Sequence, residues 1–193
     1  MNFAADIILE NNHVLLRALQ PTDAPGLMAI VLDDRIWQFT TSRIADAAEL
    51  DQWLAAALTA REQQQRYTFV IVDKASGAIA GSTAFGNISV PDRRLEIGWT
   101  WLGQGFWGSG LNKACKYLLL SYAFEVLQYE RVELKTDVLN LRSRKAMCKL
   151  GATEEGVLRS HTLMHDGRRR DTIYYSLLLP EWEERKASVF AGL

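Results

Sequence analysis

The chain has 193 residues, 48% of them hydrophobic and 23% charged, with a formal net charge of −1. That length suits one domain, residues 1–193, with a substantial core, and the near-neutral charge gives no bulk attraction to nucleic acid. No apolar run approaches membrane-spanning length and the N-terminus has no basic n-region, so no membrane association is expected and a cytoplasmic location is. Cys115 and Cys148 fall in helical patterns and read as buried, reduced thiols. His13, His161 and His165 lack metal-ligand spacing, so no metal is expected.

In chain order, Ile7 to Leu9 and His13 to Arg17 read as two short strands turned by Asn11-Asn12. Gln20-Pro-Thr-Asp23 reads as a helix start with Thr22 as cap and Pro25 in the first turn, and Asp33-Asp34 ends that helix. An aromatic and hydroxyl-rich loop, Trp37 to Ser42, follows. Asp46 with Glu49 resembles a capping box, and Leu50, Trp53, Leu54, Ala57 and Leu58 share one helical face beyond it. Three strands come next. Tyr67–Asp73 and Ala78–Phe85 form a hairpin through Ser76-Gly77, and Arg94–Trp101 follows Pro91-Asp92. In the third strand Leu95, Ile97, Trp99 and Trp101 alternate with Glu96, Gly98 and Thr100. Gly98 inside that strand suggests a bulge or a close approach.

A glycine-rich turn succeeds the third strand, with Gly103, Gly105, Gly108 and Gly110 ahead of a helix. Leu111, Ala114, Cys115, Leu118, Leu119, Tyr122, Ala123 and Val126 give that helix an apolar face. Its N-terminus aims unpaired N–H groups and the positive end of the dipole at the turn, which is where a pyrophosphate can be held by backbone alone. Three readings compete: a tight turn with no ligand, a dinucleotide site matching Gly103-x-Gly105-x-x-Gly108, and a coenzyme A site built on Gly105-x-x-Gly108-x-Gly110. The dinucleotide reading lacks its acidic residue, since position 128 is Gln. After this helix, Arg131–Val138 alternates strictly, and a strand, helix, strand sequence implies a parallel pair with a right-handed crossover. Asn140 caps a helix that Gly151 closes, and two strands near 154–165 and 171–179 finish the sheet, joined by Asp166 to Arg170.

With those residues in hand, the turn resembles the acyl-CoA-binding motif of the GCN5-related N-acetyltransferases. Trp107-Gly108-x-Gly110 is similar to the branch holding the ribosomal-protein N-terminal acetyltransferases. Gly105 departs from the family's Gln or Arg. The resemblance runs through Leu95 to Trp99, Asn140-x-x-Ser143, Lys149-Leu-Gly151, Glu154 to Gly156 and Asp166-Gly167 with Asp171. It implies an α/β (α+β) fold: a mixed, mostly antiparallel sheet of about seven strands, helices on both faces, and a parallel pair splayed where CoA binds.

What the resemblance implies for chemistry is acetyl transfer from acetyl-CoA to a primary amine, either a peptide N-terminal α-amine or a small molecule such as a polyamine or antibiotic, by a monomer or homodimer. The cofactor would touch the backbone of Trp101 and Leu102, the turn residues Gly103, Gly105, Trp107, Gly108, Ser109, Gly110 and Leu111, and Asn140, with Lys145 toward the 3′-phosphate. Glu96 is the candidate base, since desolvation makes a carboxylate more basic, against a plain surface glutamate. Ser143 is the candidate acid for the leaving thiolate, against simple helix-start chemistry. Trp37 and Phe39 either line the acceptor entrance or belong to the core. Arg168-Arg169-Arg170 either keeps its turn soluble or attracts an acidic acceptor. An acyl-CoA-binding sensor without turnover is the second class of function, and a nucleotide-dependent redox enzyme the third.

Overall fold

The computed structural model describes residues 1–193. One eight-stranded sheet runs β1-β2-β3-β4-β5-β6-β8-β7, where β1 is Ile8–Glu10, β2 Val14–Ala18, β3 Arg66–Asp73, β4 Ile79–Ser89, β5 Arg94–Leu102, β6 Arg131–Asp137, β7 Thr153–Leu163 and β8 Arg169–Leu178. Every pairing is antiparallel except β5 with β6. The expected seven or so strands are therefore eight. Arg169 and Arg170 belong to β8 and not to the turn before it.

Helices cover both faces. The helices α1 (Ala24–Val31) and α2 (Ala47–Glu62) enclose a smaller core with Val70, Trp37 and Trp101. On the other face, α3 (Leu111–Ser121), α4 (Leu141–Lys149) and α5 (Leu179–Ser188) border the main core. The sequence reading missed α5. Its signal was present in Pro180 at the first turn and Glu181, whose carboxylate accepts from the Leu178 N–H at 2.9 Å. Trp182 then docks at 1% exposure against Phe124 and Phe190.

Two cap assignments change in detail. A single 3-10 turn, Pro21–Asp23, precedes α1, and its stop is Asp23, which accepts from the Gln20 N–H (2.9 Å) and pairs with Arg17; Thr22 caps nothing. Asp46 does cap α2, accepting from the Glu49 N–H at 2.8 Å, but Glu49 reaches back to Ala45 rather than to Asp46.

Two phase shifts separate the observed elements from simple periodicity. After α3 the helix widens to a π-turn over Tyr122–Val126, with the Leu127 N–H bonded to the Tyr122 carbonyl. The inserted residue rotates the face, so Phe124 is fully buried and Val126 is 64% exposed, the reverse of the expected stripe. In β5, Trp99 and Thr100 together oppose Thr83, because Ser82 pairs with Trp101 and Ala84 with Gly98. Trp99 takes φ 50° at this bulge. The bulge inverts the alternation: Leu95 and Ile97 face the main core, whereas Trp101 faces α1 and α2. Thr100, expected beside Glu96, turns instead to α3.

Candidate active site

The parallel pair supplies the opening. β5 and β6 bond only over Arg94 with Arg131, Leu95 with Val132 and Glu96 with Glu133; past Glu96, β5 has no partner on that side. The splay lies between Gly98–Leu102 and the end of β6. Trp101 and Leu102 are still paired to β4, and the Leu102 carbonyl already accepts from the Trp107 indole at 2.8 Å.

Beyond the splay the chain makes a 3-10 turn at Gln104–Phe106 and enters α3 through Gly108 (φ 76°) and Gly110 (φ 87°). Only these two of the four turn glycines take positive φ, and a Cβ at either would meet open space. Gly103 has a different reason: a Cβ there would lie 3.1 Å from Ile30 of α1, so its smallness serves packing. Ser109 closes the turn by donating to the Phe106 carbonyl (2.8 Å). The N–H groups of Gly108, Ser109, Gly110, Asn112 and Lys113 have no acceptor within the protein. They gather at the positive end of α3, beside exposed glycines, which is the arrangement that holds a phosphate.

Across the splay, Asn140 accepts from the Ser143 N–H at 3.0 Å and caps α4. Ser143 is half-buried, and its hydroxyl is free of any protein partner. Arg142 lies 3.7 Å over the Trp107 ring and bridges α4 to the turn. Lys145 instead sits at a separate cleft of about 440 Å³ with Arg144, Lys149, Glu154 and Tyr175. Phe39 lines a cleft of about 360 Å³ with Trp107, Asn140 and Arg142, which places it at the mouth. Trp37 does not join it. At 2% exposure it belongs to the smaller core, its indole donating to the Val31 carbonyl (2.7 Å) and its ring 5.3 Å from that of Trp101.

Glu96 is 3% exposed on the opposite sheet face from α3. Its carboxylate accepts from Asn87 Nδ2 at 2.6 Å and pairs with Lys135 Nζ at 2.8 Å. The desolvation argued from sequence is thus answered by an ion pair and an amide. Gly98 makes room for it, since a Cβ at Gly98 would fall 2.5 Å from Glu96 Oε1. The close approach expected at Gly98 comes from this carboxylate. Trp99, bent outward by the bulge, lays its ring across Gly86 beside Glu96.

Lys116 is a buried cation that no sequence signal flagged, because it interrupts the apolar face of α3 between Cys115 and Leu119. Its ammonium donates to Thr100 Oγ1 at 2.7 Å and reaches Thr83 Oγ1 at 3.5 Å, under the bulge. Burial pushes its pKa down to about 8, against the opposing pull of Cys115 and Glu96. Burial also pushes the Cys115 thiol up to about 11. Cys148 is exposed rather than buried, a correction to its reading as an interior thiol. No group of three or more His, Cys, Asp or Glu is disposed to hold a metal ion, and no helix is long and apolar enough to cross a membrane.

A parallel pair that splays at its carboxyl ends, followed by a glycine turn onto a helix N-terminus, defines the acetyltransferase class of fold. The acetyltransferase (GNAT) domain profile matches residues 13–153, and the chain belongs to that family of N-acetyltransferases. It is 30% identical over 191 residues to a protein of Bacillus subtilis (strain 168) named "Putative ribosomal N-acetyltransferase YdaF", covering 91% of this chain and 97% of that one. Among solved structures, a GCN5-related N-acetyltransferase from Brucella melitensis superposes with a TM-score of 0.90 at 28% identity, covering 98% of this chain and 86% of the other. The ribosomal-protein-S5-alanine acetyltransferase of Vibrio fischeri shares the fold, with a TM-score of 0.75 at 21% identity over 92% of this chain and 99% of that one.

Proposed function

We propose that the protein transfers an acetyl group from acetyl-CoA to a primary amine, with a peptide N-terminal α-amine as the favoured acceptor, in the cytoplasm. The observation that carries this reading is the set of unpaired N–H groups from Gly108 to Lys113 at the end of the open β5 edge. The pyrophosphate binds there, with Gly103, Gly105, Trp107 and Leu111 shaping the turn. The pantetheine arm lies along the backbone of Trp101 and Leu102 and reaches Asn140. The indole already on the Leu102 carbonyl leaves that oxygen one lone pair for the arm. Arg142 and Lys145, neighbours three residues apart on α4, offer positive charge to the outer phosphates. The name of the Bacillus subtilis relative supports a protein N-terminus as acceptor.

In the reaction, the neutral amine attacks the thioester carbon, a tetrahedral oxyanion forms, and the carbon–sulfur bond breaks. Ser143 Oγ gives its proton to the leaving thiolate and regains one from solvent water, which its lack of any protein partner permits. The ammonium proton leaves toward Glu96 through water, because that carboxylate is almost wholly buried and already bonded to Asn87 and Lys135. Phe39 and Trp99 flank the acceptor's approach. The test is a panel of amines, including N-terminal peptides, polyamines and amino sugars, scored by release of free thiol from acetyl-CoA. Peptide-dependent release supports the reading; acetyl-CoA binding without release on any amine would leave a binding protein instead.

A further inference from the structure

The three arginines Arg168, Arg169 and Arg170 do not behave as one solvated run. Arg169 is exposed, but Arg168 pairs at 2.5 Å with Asp137, which is fully buried. Arg170 is 7% exposed and forms no ion pair. Its side chain makes one hydrogen bond within the protein, from Nε to Thr172 Oγ1 at 3.0 Å. Its Nη groups have no acceptor in the protein, yet they are not sealed from solvent. Burial disfavours this guanidinium's charge, and only the more distant Asp137, Glu96 and Tyr174 offset that cost.

Arg170 lies on the Glu96 face. Along β8, Ile173 and Tyr175 enter the main core, so Arg170, Thr172 and Tyr174 point the other way. Thr172 is opposite Asp137, and Tyr174 is opposite Lys135, whose ammonium holds Glu96. On this face Glu96 is matched by Lys135 and Asp137 by Arg168. Arg66, across Gly86 from Glu96, also lacks an ion pair but lies over the Trp99 ring; Arg170 is the unpaired cation at the open end of the splay.

We propose that Arg170 binds a carboxylate on the acceptor, so that the preferred acceptors are amines with a carboxylate within a few bonds of the attacking nitrogen. The proposal rests on the acetyltransferase reading and specifies its acceptor. The paired N–H groups of a guanidinium fit a carboxylate in two parallel bonds. A polyamine would bring a further cation to a face that already holds unpaired guanidinium charge in Arg170 and Arg66. The carboxylate comes either from the α-carboxyl of an amino acid or from an acidic side chain at the second position of a peptide.

The experiment measures binding by calorimetry to the protein saturated with CoA. It compares two pairs: leucine with leucinamide, and Ser-Asp-amide with Ser-Asn-amide. The carboxylate member of at least one pair binds about tenfold or more tightly, as charge-assisted bonds to an otherwise unpaired donor require. That preference falls to about twofold or less in Arg170→Gln and is partly kept in Arg170→Lys. Equal binding within both pairs, or no binding of either, overturns the proposal, as does a preference that survives Arg170→Gln. The wild-type comparison stands even if the glutamine variant does not fold. Because binding is read and not transfer, a carboxylate preference without acetyl transfer would sink the enzyme reading and leave this one.

Discussion

Replacing Lys116 by Met tests how the fold carries a buried cation beneath the β5 bulge. The ammonium has no carboxylate within ion-pair distance and donates to Thr100 and, more weakly, to Thr83. Those two hydroxyls are 2.8 Å apart and can satisfy each other when the lysine is gone. Burial lowers the lysine pKa from 10.5 to about 8. A displacement of that size corresponds to about 3 kcal/mol at about 1.4 kcal/mol per pH unit. Below pH 8 both the folded and unfolded chains hold the proton, and the whole cost is present. Between about 8 and 10.5 the unfolded chain binds more protons than the folded one, so stability rises with pH; above 10.5 the cost is gone. The wild type therefore gains about 3 kcal/mol from this group across that window, and Lys116→Met does not. Urea unfolding of both proteins from neutral pH to pH 10.5 reads the difference, which cancels the other titrating groups. A wild-type minus variant difference that stays flat with pH would refute the burial argument.

Four further outcomes are expected. Gly110→Val forces a β-branched residue to φ 87°, costing about 1–3 kcal/mol in unfolding experiments and abolishing acetyl-CoA binding by calorimetry. Gly103→Ala pushes on Ile30 and lowers the melting temperature while acetyl-CoA affinity stays, because that glycine serves packing. Ser143→Ala lowers turnover by about 10²–10⁴ with acetyl-CoA affinity unchanged, measured where chemistry limits the rate; full turnover would leave Ser143 a helix-start residue only. For Glu96→Gln, the loss depends on the acceptor. An α-amine with pKa near about 8 is partly neutral at pH 7, whereas a lysine side chain near about 10.4 is not, so the pH–rate profiles separate mainly on the second.

Much of the fold was legible because its signals are local. The β3–β4 hairpin, the glycine turn and the Asn140 cap each depend on a few adjacent residues whose backbone preferences leave little choice. What stayed hidden depends on partners far along the chain. The bulge places a tryptophan at positive φ, which no propensity favours; it exists because Thr83 on β4 faces two residues of β5. The π-turn carries Phe124 against Trp182 of α5, itself unread. Trp37 read equally well as an entrance or a core aromatic, and its ring packs at a tilt against Trp101 from a distant strand. For the site, the turn and Ser143 were readable as motifs. The Lys135 and Asn87 partners of Glu96 were not, because strand pairing alone brings them there. Arg170 was hidden for a related reason: a run of three arginines looks alike in sequence, and only the β8 register decides which one turns inward.

The most direct test of the central claim is a nitrogen-15 amide titration with acetyl-CoA. Saturable, dominant shifts at the amides of Gly108, Ser109, Gly110, Asn112 and Lys113 are predicted, since these N–H groups gain the phosphate acceptors they lack in the free protein. Acetyl-CoA that binds elsewhere, or leaves those amides unmoved at saturation, would contradict the account.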